Sequence, residues 1–200
     1  MNTKFIITRN AGILAATALG AFAVSGSMAS PADKPSDADN FYKSGRVSQQ
    51  EVKFNNQYRM KVAGNLFLPK DMDKEARCPA IIVGHPMGAV KEQSANLYAA
   101  KMAERGFVTL ALDLPFWGGS DGEPRNSVSP DMYAEAFSAA ADYLGTRPFV
   151  DRDRIGVIGI CGSGSFAISA AKIDPRLKAI ATVSICLLYT SPSPRDSTSS

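Results

Sequence analysis

The chain has 200 residues, of which 45% are hydrophobic, 20% charged and 8% aromatic, as in ordinary globular proteins. Three cysteines are too few for a disulfide scaffold, and this composition excludes a disordered or collagen-like chain. The formal net charge of +3 falls to +1 without Lys4 and Arg9, which lie in a segment that we predict to be removed. So small a charge argues against a nucleic-acid partner.

Residues 1–29 have the parts of a secretory signal peptide: a positive start, an apolar run at 11–24 and small residues after it. Ser27 and Ala29 form the small pair that cleavage after Ala29 requires, and Ala32 offers a second position. The alternative is an uncleaved membrane anchor. Because the run is shorter than the roughly 20 residues of a spanning helix, we expect cleavage, no stable membrane anchor and a periplasmic or secreted protein.

Both ends of the chain are expected to lie outside the folded domain. A polar leader occupies residues 30–46, and the domain occupies residues 47–185. Residues 186–200 are rich in serine and proline, and residues 186–196 resemble a translated sequencing adapter. We therefore expect a non-native tail rather than a natural serine- and proline-rich one, and a domain truncated after its last strand. Such a fragment is expected to be unstable, because that strand lacks the neighbours that would cover it.

The first predicted elements are three strands and a helix. Residues 47–69 alternate between apolar and polar around the turn at 55–57, which predicts an antiparallel pair. Residues 79–84 form a short apolar run typical of a strand buried on both faces. A helix follows, and Gly106 is predicted to end it with a left-handed cap. The apolar residues of this helix recur at helical spacing: Ala95, Tyr98, Ala99, Met102 and Ala103.

The next elements are a second buried strand at 107–112 and a longer helix. Ser129 as N-cap, Pro130 in the first helical position and Asp131 in the first turn predict where that helix begins. Its inner face is predicted to carry Tyr133, Phe137, Ala140, Ala141 and Leu144.

Strand and helix continue to alternate to the end of the domain. A third buried strand is predicted at 155–160, a helix at 163–172 and a fourth buried strand at 178–185. This alternation requires right-handed crossovers between parallel strands. The predicted fold class is therefore α/β, with a mostly parallel sheet and helices on both faces.

A candidate nucleophile lies where the third buried strand passes into its helix, because reactive groups gather beyond the carboxyl ends of parallel strands. The turn reads Gly-Ile-Cys-Gly-Ser, with Cys161 at its centre. A nucleophile on so tight a turn needs small residues two positions to either side, and Gly159 and Ser163 meet this requirement. The helix N-terminus also stabilises an anionic sulfur.

With these motifs the sequence resembles the α/β-hydrolase fold, and within it the dienelactone-hydrolase-like branch, whose turn carries cysteine. The resemblance covers residues 47–185 and rests on the order of residues 85–88 (HPMG), residues 113–120 (DLPFWGGS) and the cysteine turn. It implies that Cys161 forms a thioacyl intermediate with an ester, thioester, lactone or related small-molecule carbonyl. It leaves ester, peptide and lactone cleavage open. We expect no cofactor, and no metal because the sequence has neither an H-E-x-x-H nor a paired C-x-x-C motif.

The resemblance also implies an oxyanion hole made by two backbone N–H groups. Gly162, the residue after the nucleophile, would supply one of them. The other would come from the loop that follows Gly84. Because Pro86 has no N–H, we assign this second donor to Met87.

Three further residues of these motifs have two interpretations each. His85 precedes the nucleophile, whereas this fold places its histidine after it, so we expect His85 to shape its loop rather than to act as the base. Asp113 is likewise expected to cap the loop that holds Trp117, not to be the catalytic acid. Trp117 either lines the substrate pocket or packs in the core.

The cysteines have alternatives too. Cys161 is an inert buried residue if it is not the nucleophile, and Ser163 is then the rival nucleophile. Cys78 is expected to be structural. A Cys78–Cys161 disulfide is excluded, because opposite ends of a parallel strand lie roughly 17–20 Å apart, beyond the ~7 Å limit between Cα atoms.

Two competing functions remain to be weighed. Residues 162–167 fit the dinucleotide-binding pattern G-x-G-x-x-A, but the next strand end, at 182–185, lacks the acid that holds the ribose. The second is a non-catalytic α/β chain with an inert cysteine. It arises because no histidine follows Cys161. We therefore expect an exported cysteine hydrolase whose 200-residue form lacks its acid and histidine and is inactive.

Overall fold

The computed structural model describes residues 41–73 and 75–186. The predicted signal peptide, most of the polar leader and nearly all of the predicted non-native tail lie outside the described residues. Among the described helices, none combines the length and hydrophobicity that a membrane span requires.

Six strands form one mixed sheet in the order β1-β2-β4-β3-β5-β6. The strands are β1 Val47–Asn55, β2 Lys61–Pro69, β3 Cys78–Gly84, β4 Val108–Leu112, β5 Val150–Ile160 and β6 Leu177–Val183. β1 and β2 pair antiparallel, β2 pairs antiparallel with β4, and the other neighbours run parallel. This arrangement confirms the predicted antiparallel pair and the mostly parallel α/β sheet.

Helices cover both faces of the sheet, as predicted. The helices are α1 Ser94–Ala103, α2 Pro130–Gly145 and α3 Gly162–Ile173. Successive strand residues point to opposite faces, so Ile81 packs with α1 while Ile82 packs with α2 and α3. The α1 core is small because its helix contributes alanines. The opposite core contains the large aromatic side chains Tyr133, Phe137 and Phe166.

The predicted helix ends are found, with one correction. Gly106 follows α1 at φ +91°, and its N–H donates to the Ala103 carbonyl at 3.0 Å. Ser129 is the N-cap residue of α2, but its side chain makes no capping hydrogen bond. Its carbonyl accepts from the Tyr133 N–H at 3.0 Å, and Ser129, Pro130 and Asp131 all lie at the predicted positions.

Two strands differ from their predicted form. β5 begins at Val150, not at residue 155, because Val150 pairs with Cys78 of β3 before a register shift, after which Ile155 pairs with Ala80. The predicted fourth strand is present as β6, which spans Leu177–Val183 rather than 178–185, but its predicted burial is wrong because Ala179 and Ala181 are exposed. Among the described strands β6 pairs only with β5, so an apolar sequence here does not imply burial on both sides.

The register of the central strands brings the site loops together. Gly84, at the end of β3, pairs with Leu112 of β4 on one side and Gly159 of β5 on the other. The loops that follow these three strands therefore leave the same edge of the sheet.

Candidate active site

Cys161 lies at a strained bend between the last residue of β5 and the first residue of α3. Its backbone has φ +53° and ψ −115°, a conformation that L-residues rarely adopt. Its N–H donates to the Val183 carbonyl at 2.8 Å, and its carbonyl accepts from the Gly164 N–H at 3.0 Å. These bonds fasten the bend to β6 and to the first turn of α3.

The bend brings strand and helix backbones so close that position 159 needs glycine. A Cβ there would lie 2.5 Å from the Ser163 carbonyl oxygen and 2.6 Å from the Gly164 Cα. Real Cβ atoms do not approach backbone so closely, which confirms the predicted need for a small residue at this position.

The Cys161 thiol is free and its side chain is partly exposed, although it packs against the core on the α1 side. Cys78 begins β3, at the opposite edge of the sheet, and is also free. This placement confirms that no disulfide joins these two residues.

The β3–α1 loop, residues 85–93, lies beside the bend. A Cβ on Gly162 would be 3.3 Å from the Met87 Cβ and 3.6 Å from the Met87 nitrogen. Within the part of the chain that the structure describes, the N–H groups of Met87 and Gly162 have no acceptor. Two backbone donors without an acceptor in the described structure therefore lie side by side at the bend that carries Cys161.

His85, the first residue of that loop, is buried and uses both ring nitrogens. Its Nδ1 lies 2.7 Å from the Pro86 carbonyl, to which it donates, and its Nε2 accepts from the Leu114 N–H at 3.1 Å. Burial lowers the pKa of His85, and the Pro86 carbonyl and the Asp113 charge only partly oppose this effect. A neutral ring engaged on both sides links two loops and has no nitrogen free to serve Cys161.

Ser163, the rival nucleophile, is fully buried. Its hydroxyl donates to the His85 carbonyl at 2.5 Å, on the side of the β3–α1 loop. This geometry gives Ser163 a structural contact and leaves Cys161 as the partly exposed nucleophile candidate at the bend.

Asp113 is fully buried and accepts hydrogen bonds from two loops. Its carboxylate accepts from the Gly119 N–H, from the Lys91 N–H and from the Lys91 Nζ, each at 2.8 Å. Burial works to lower the pKa of Lys91, but hydrogen bonds to Asp113 and Glu92 outweigh it and raise that pKa. Asp113 therefore holds the loop that contains Gly119, as expected, and also forms a buried ion pair.

Sequence reasoning missed Lys91, which is only 7% exposed. The available signal was weak: a lysine after the uncharged residues 86–90, beyond a buried strand. Nothing in that spacing indicates that its partner lies beyond the next strand.

Trp117 joins a hydrogen-bonded cluster with α2. Its Nε1 donates to the Tyr133 hydroxyl at 2.6 Å, and that hydroxyl donates to the Ser127 carbonyl at 2.5 Å. Burial raises the pKa of Tyr133, which stays protonated. Of the two interpretations of Trp117, the contacts favour packing.

A metal-binding cluster or a cavity elsewhere in the described structure would also mark a candidate site. Within residues 41–73 and 75–186, no group of three His, Cys, Asp or Glu side chains is placed to hold a metal ion. A surface cavity of about 750 Å³ lies between α2 and the α3–β6 turn, beside Glu135 and Arg176, and none of its lining residues belongs to the three loops.

Comparison with known proteins agrees with this geometry. The family model of the Dienelactone hydrolase family matches residues 62–184, which include all three loops. The chain belongs to the dienelactone hydrolase family. Membership confirms the α/β-hydrolase fold class and the predicted resemblance at the level of the family.

The relatives are longer than the matched part of this chain. An uncharacterized protein of Pseudomonas aeruginosa, PA2218, is 52% identical over 139 residues, which are 70% of this chain and 37% of that protein. The thiohydrolase aneE of Aspergillus aculeatus is 34% identical over 138 residues, 69% of this chain and 41% of that protein. The chain thus spans about two fifths of the length of these curated relatives.

Comparison with solved structures also finds a similar fold that covers about half of each longer chain. The crystal structure of the Pseudomonas aeruginosa protein matches with a TM-score of 0.71 and 49% identity, covering 75% of this chain and 46% of that one. The structure of DcsB in complex with its substrate analogue matches with a TM-score of 0.64 and 27% identity, covering 70% and 47%.

Proposed function

We propose that this protein is an exported hydrolase in which Cys161 attacks the carbonyl carbon of an ester, thioester or lactone. One observation carries the proposal: a strained, partly exposed cysteine lies beside two backbone N–H groups that have no acceptor in the described structure. An oxyanion hole requires such donors, oriented before the reaction begins.

In the proposed reaction the Cys161 thiolate forms a C–S bond to the carbonyl carbon, and the carbonyl oxygen becomes an oxyanion. Met87 and Gly162 donate their N–H groups to this oxygen. Each such donor contributes on the order of 3 kcal/mol to transition-state stabilisation. The oxyanion then reforms the carbonyl as the C–O or C–S bond of the substrate breaks, and the alkoxide or thiolate that leaves takes a proton from water. Water finally hydrolyses the thioacyl group and frees the Cys161 thiol.

Among these carbonyl compounds we favour a thioester. The support is the 34% identity to a protein named as a thiohydrolase. Acylation of Cys161 by a thioester breaks one C–S bond and forms another of the same type. The free-energy change of this step is therefore small, and the step is readily reversible. Hydrolysis of the thioacyl group then makes the overall reaction favourable.

We further propose that the 200-residue chain is acylated but does not turn over. Its single histidine, His85, has both ring nitrogens engaged. No other side chain of this sequence has an imidazole to activate the water that must attack the thioacyl group. Acylation would therefore stop after one equivalent.

The experiment follows p-nitrophenolate release from p-nitrophenyl acetate by the 200-residue chain. We expect a burst of about one equivalent and an acetyl group on the Cys161 peptide. Cys161→Ala should abolish the burst, whereas the control Cys78→Ala, which removes a free thiol at the opposite sheet edge, should retain it. An undiminished burst in Cys161→Ala would contradict the proposed nucleophile. Sustained Cys161-dependent turnover would contradict only the proposed inactivity.

A further inference from the structure

The β3–α1 loop is fastened at its first residue to the helix that carries the nucleophile. The Ser163 hydroxyl, in the first turn of α3, donates to the His85 carbonyl at 2.5 Å. Both residues are buried, so neither group has water as an alternative partner. This bond joins the loop directly to the turn that contains Cys161 and Gly162.

The same loop is fastened to the β4–α2 loop on both sides of Met87. Before Met87, the His85 ring accepts from the Leu114 N–H. After Met87, Lys91 binds Asp113 through both its backbone N–H and its Nζ, at 2.8 Å each. Asp113 is fully buried and Lys91 nearly so, so loss of the Lys91 ammonium would leave a buried carboxylate without its counter-charge.

The short segment between these attachments is itself a turn. The Ala89 N–H donates to the Pro86 carbonyl at 3.1 Å. Met87 lies inside this turn, so the position of its N–H depends on where residues 85 and 91 are held. Among the described residues, neither the Ser163 hydroxyl nor the Lys91 ammonium forms a hydrogen bond with the Cys161 sulfur or with the Met87 or Gly162 N–H.

We propose that Ser163 and Lys91 are positioning residues that hold the Met87 N–H beside the Gly162 N–H, in the geometry that an oxyanion needs. This inference rests on the proposed function of Cys161. A donor displaced from the oxyanion position loses most of its effect, because its hydrogen bond is made only in the transition state.

Two reactions of the same sulfur separate positioning from general damage. In acylation by p-nitrophenyl acetate, sulfur bonds to the carbonyl carbon, an oxyanion forms, and p-nitrophenolate then leaves with the electron pair of the broken C–O bond. In alkylation by iodoacetamide, sulfur displaces iodide from a saturated carbon, and no oxyanion forms. The ratio of the two second-order rate constants therefore reports on the oxyanion hole.

We expect Ser163→Ala to lower the acylation rate about tenfold, less than the loss of a whole donor, and to leave the alkylation rate within about twofold. Lys91→Met should lower the same ratio. Ser169→Ala is the matched control, because it removes a hydroxyl from α3 that binds only the Ser165 carbonyl. Its ratio should equal that of the unsubstituted chain.

The outcomes are distinguishable. If Ser163→Ala and Lys91→Met leave the ratio of the two rate constants unchanged, the positioning role is wrong. The proposal that Cys161 is the nucleophile is not affected by that result. If the unsubstituted chain is alkylated at Cys161 but not acylated there, the proposed function fails, and the inference fails with it.

Discussion

His85 is a titratable residue that is also buried and forms hydrogen bonds linking two loops. Its Nε2 can accept from the Leu114 N–H only while the ring is neutral. Protonation would turn that nitrogen into a donor facing another donor. The folded state therefore resists protonation of His85, in line with the lowering of its pKa by burial.

This resistance predicts a loss of stability at mildly acidic pH. As the pH falls below 6.5, the unfolded state binds a proton at His85 that the folded state does not, so the free energy of unfolding decreases. The decrease continues down to the lowered pKa of the folded state. We expect His85→Gln, which keeps an acceptor and removes the titration, to flatten this dependence.

Urea unfolding of both proteins above and below pH 6.5 measures the effect. Asp113, Glu92 and Lys91 are the charged groups that act on His85. Elsewhere burial raises the pKa of Glu135, which decreases stability as the pH rises and so acts in the opposite direction. The variant is therefore compared with the parent chain at each pH. Identical slopes in the two proteins would contradict the prediction.

The sequence predicted the local geometry of some site residues but not the long-range contacts of others. The bend at Cys161 follows from five consecutive residues, because small neighbours at 159 and 163 are what a tight strand-to-helix turn requires. The Lys91–Asp113 pair depends on two loops meeting after 22 residues. No local pattern encodes that meeting, so this pair became visible only in the folded chain.

At the scale of elements, periodicity was the reliable signal. The stripe predicted for α2 is buried along its whole length, because a helix repeats every 3.6 residues and each of these side chains reaches the sheet. β6 shows the limit of this signal. Its composition is apolar, but burial of a strand also depends on its neighbours in the sheet, which composition does not specify.

The buried stripe of α2 can be tested at Phe137, which has no exposed surface. Replacement by alanine leaves a cavity between α2 and the sheet, so Phe137→Ala should lower the free energy of unfolding by about 3–5 kcal/mol. Ile173→Ala is the control, because that side chain is 76% exposed and its loss should cost under about 0.5 kcal/mol. Equal costs in urea titrations would show that α2 does not pack as described.

At the scale of the whole molecule, the strand order determines which loops meet. β3 lies between β4 and β5, so the loops after residues 84, 112 and 160 leave the sheet side by side. The Met87 and Gly162 N–H groups, the Cys161 sulfur and the buried Lys91–Asp113 pair all lie in or beside these loops. A different strand order with the same sequence motifs would separate them.

The proposed export also concerns the whole molecule, and it predicts the mass of the mature chain. Expressed with residues 1–29 in a bacterial host, the protein should appear in the periplasm with Ser30 as its first residue. Ala29→Arg should leave the precursor uncleaved, because the peptidase accepts only small residues there. Ala32→Arg should still be cleaved. If instead Ala29→Arg is cleaved and Ala32→Arg is not, the cleavage site lies after Ala32. Intact-mass measurement of the periplasmic and cytoplasmic fractions of the host identifies the first residue of each form. Chains that retain Met1 in both fractions would contradict the proposed export.

The sequence by itself determined the α/β class, the helices, the antiparallel pair and the bend at Cys161. Each of these follows from interactions among residues close along the chain: apolar periodicity, end signals and the steric needs of one turn. Only the tertiary structure decided that Met87 lies against Gly162, that Ser163 binds the β3–α1 loop and that Lys91 pairs with Asp113. These contacts depend on strand order and register, through which residues far apart along the chain come to share one edge of the sheet.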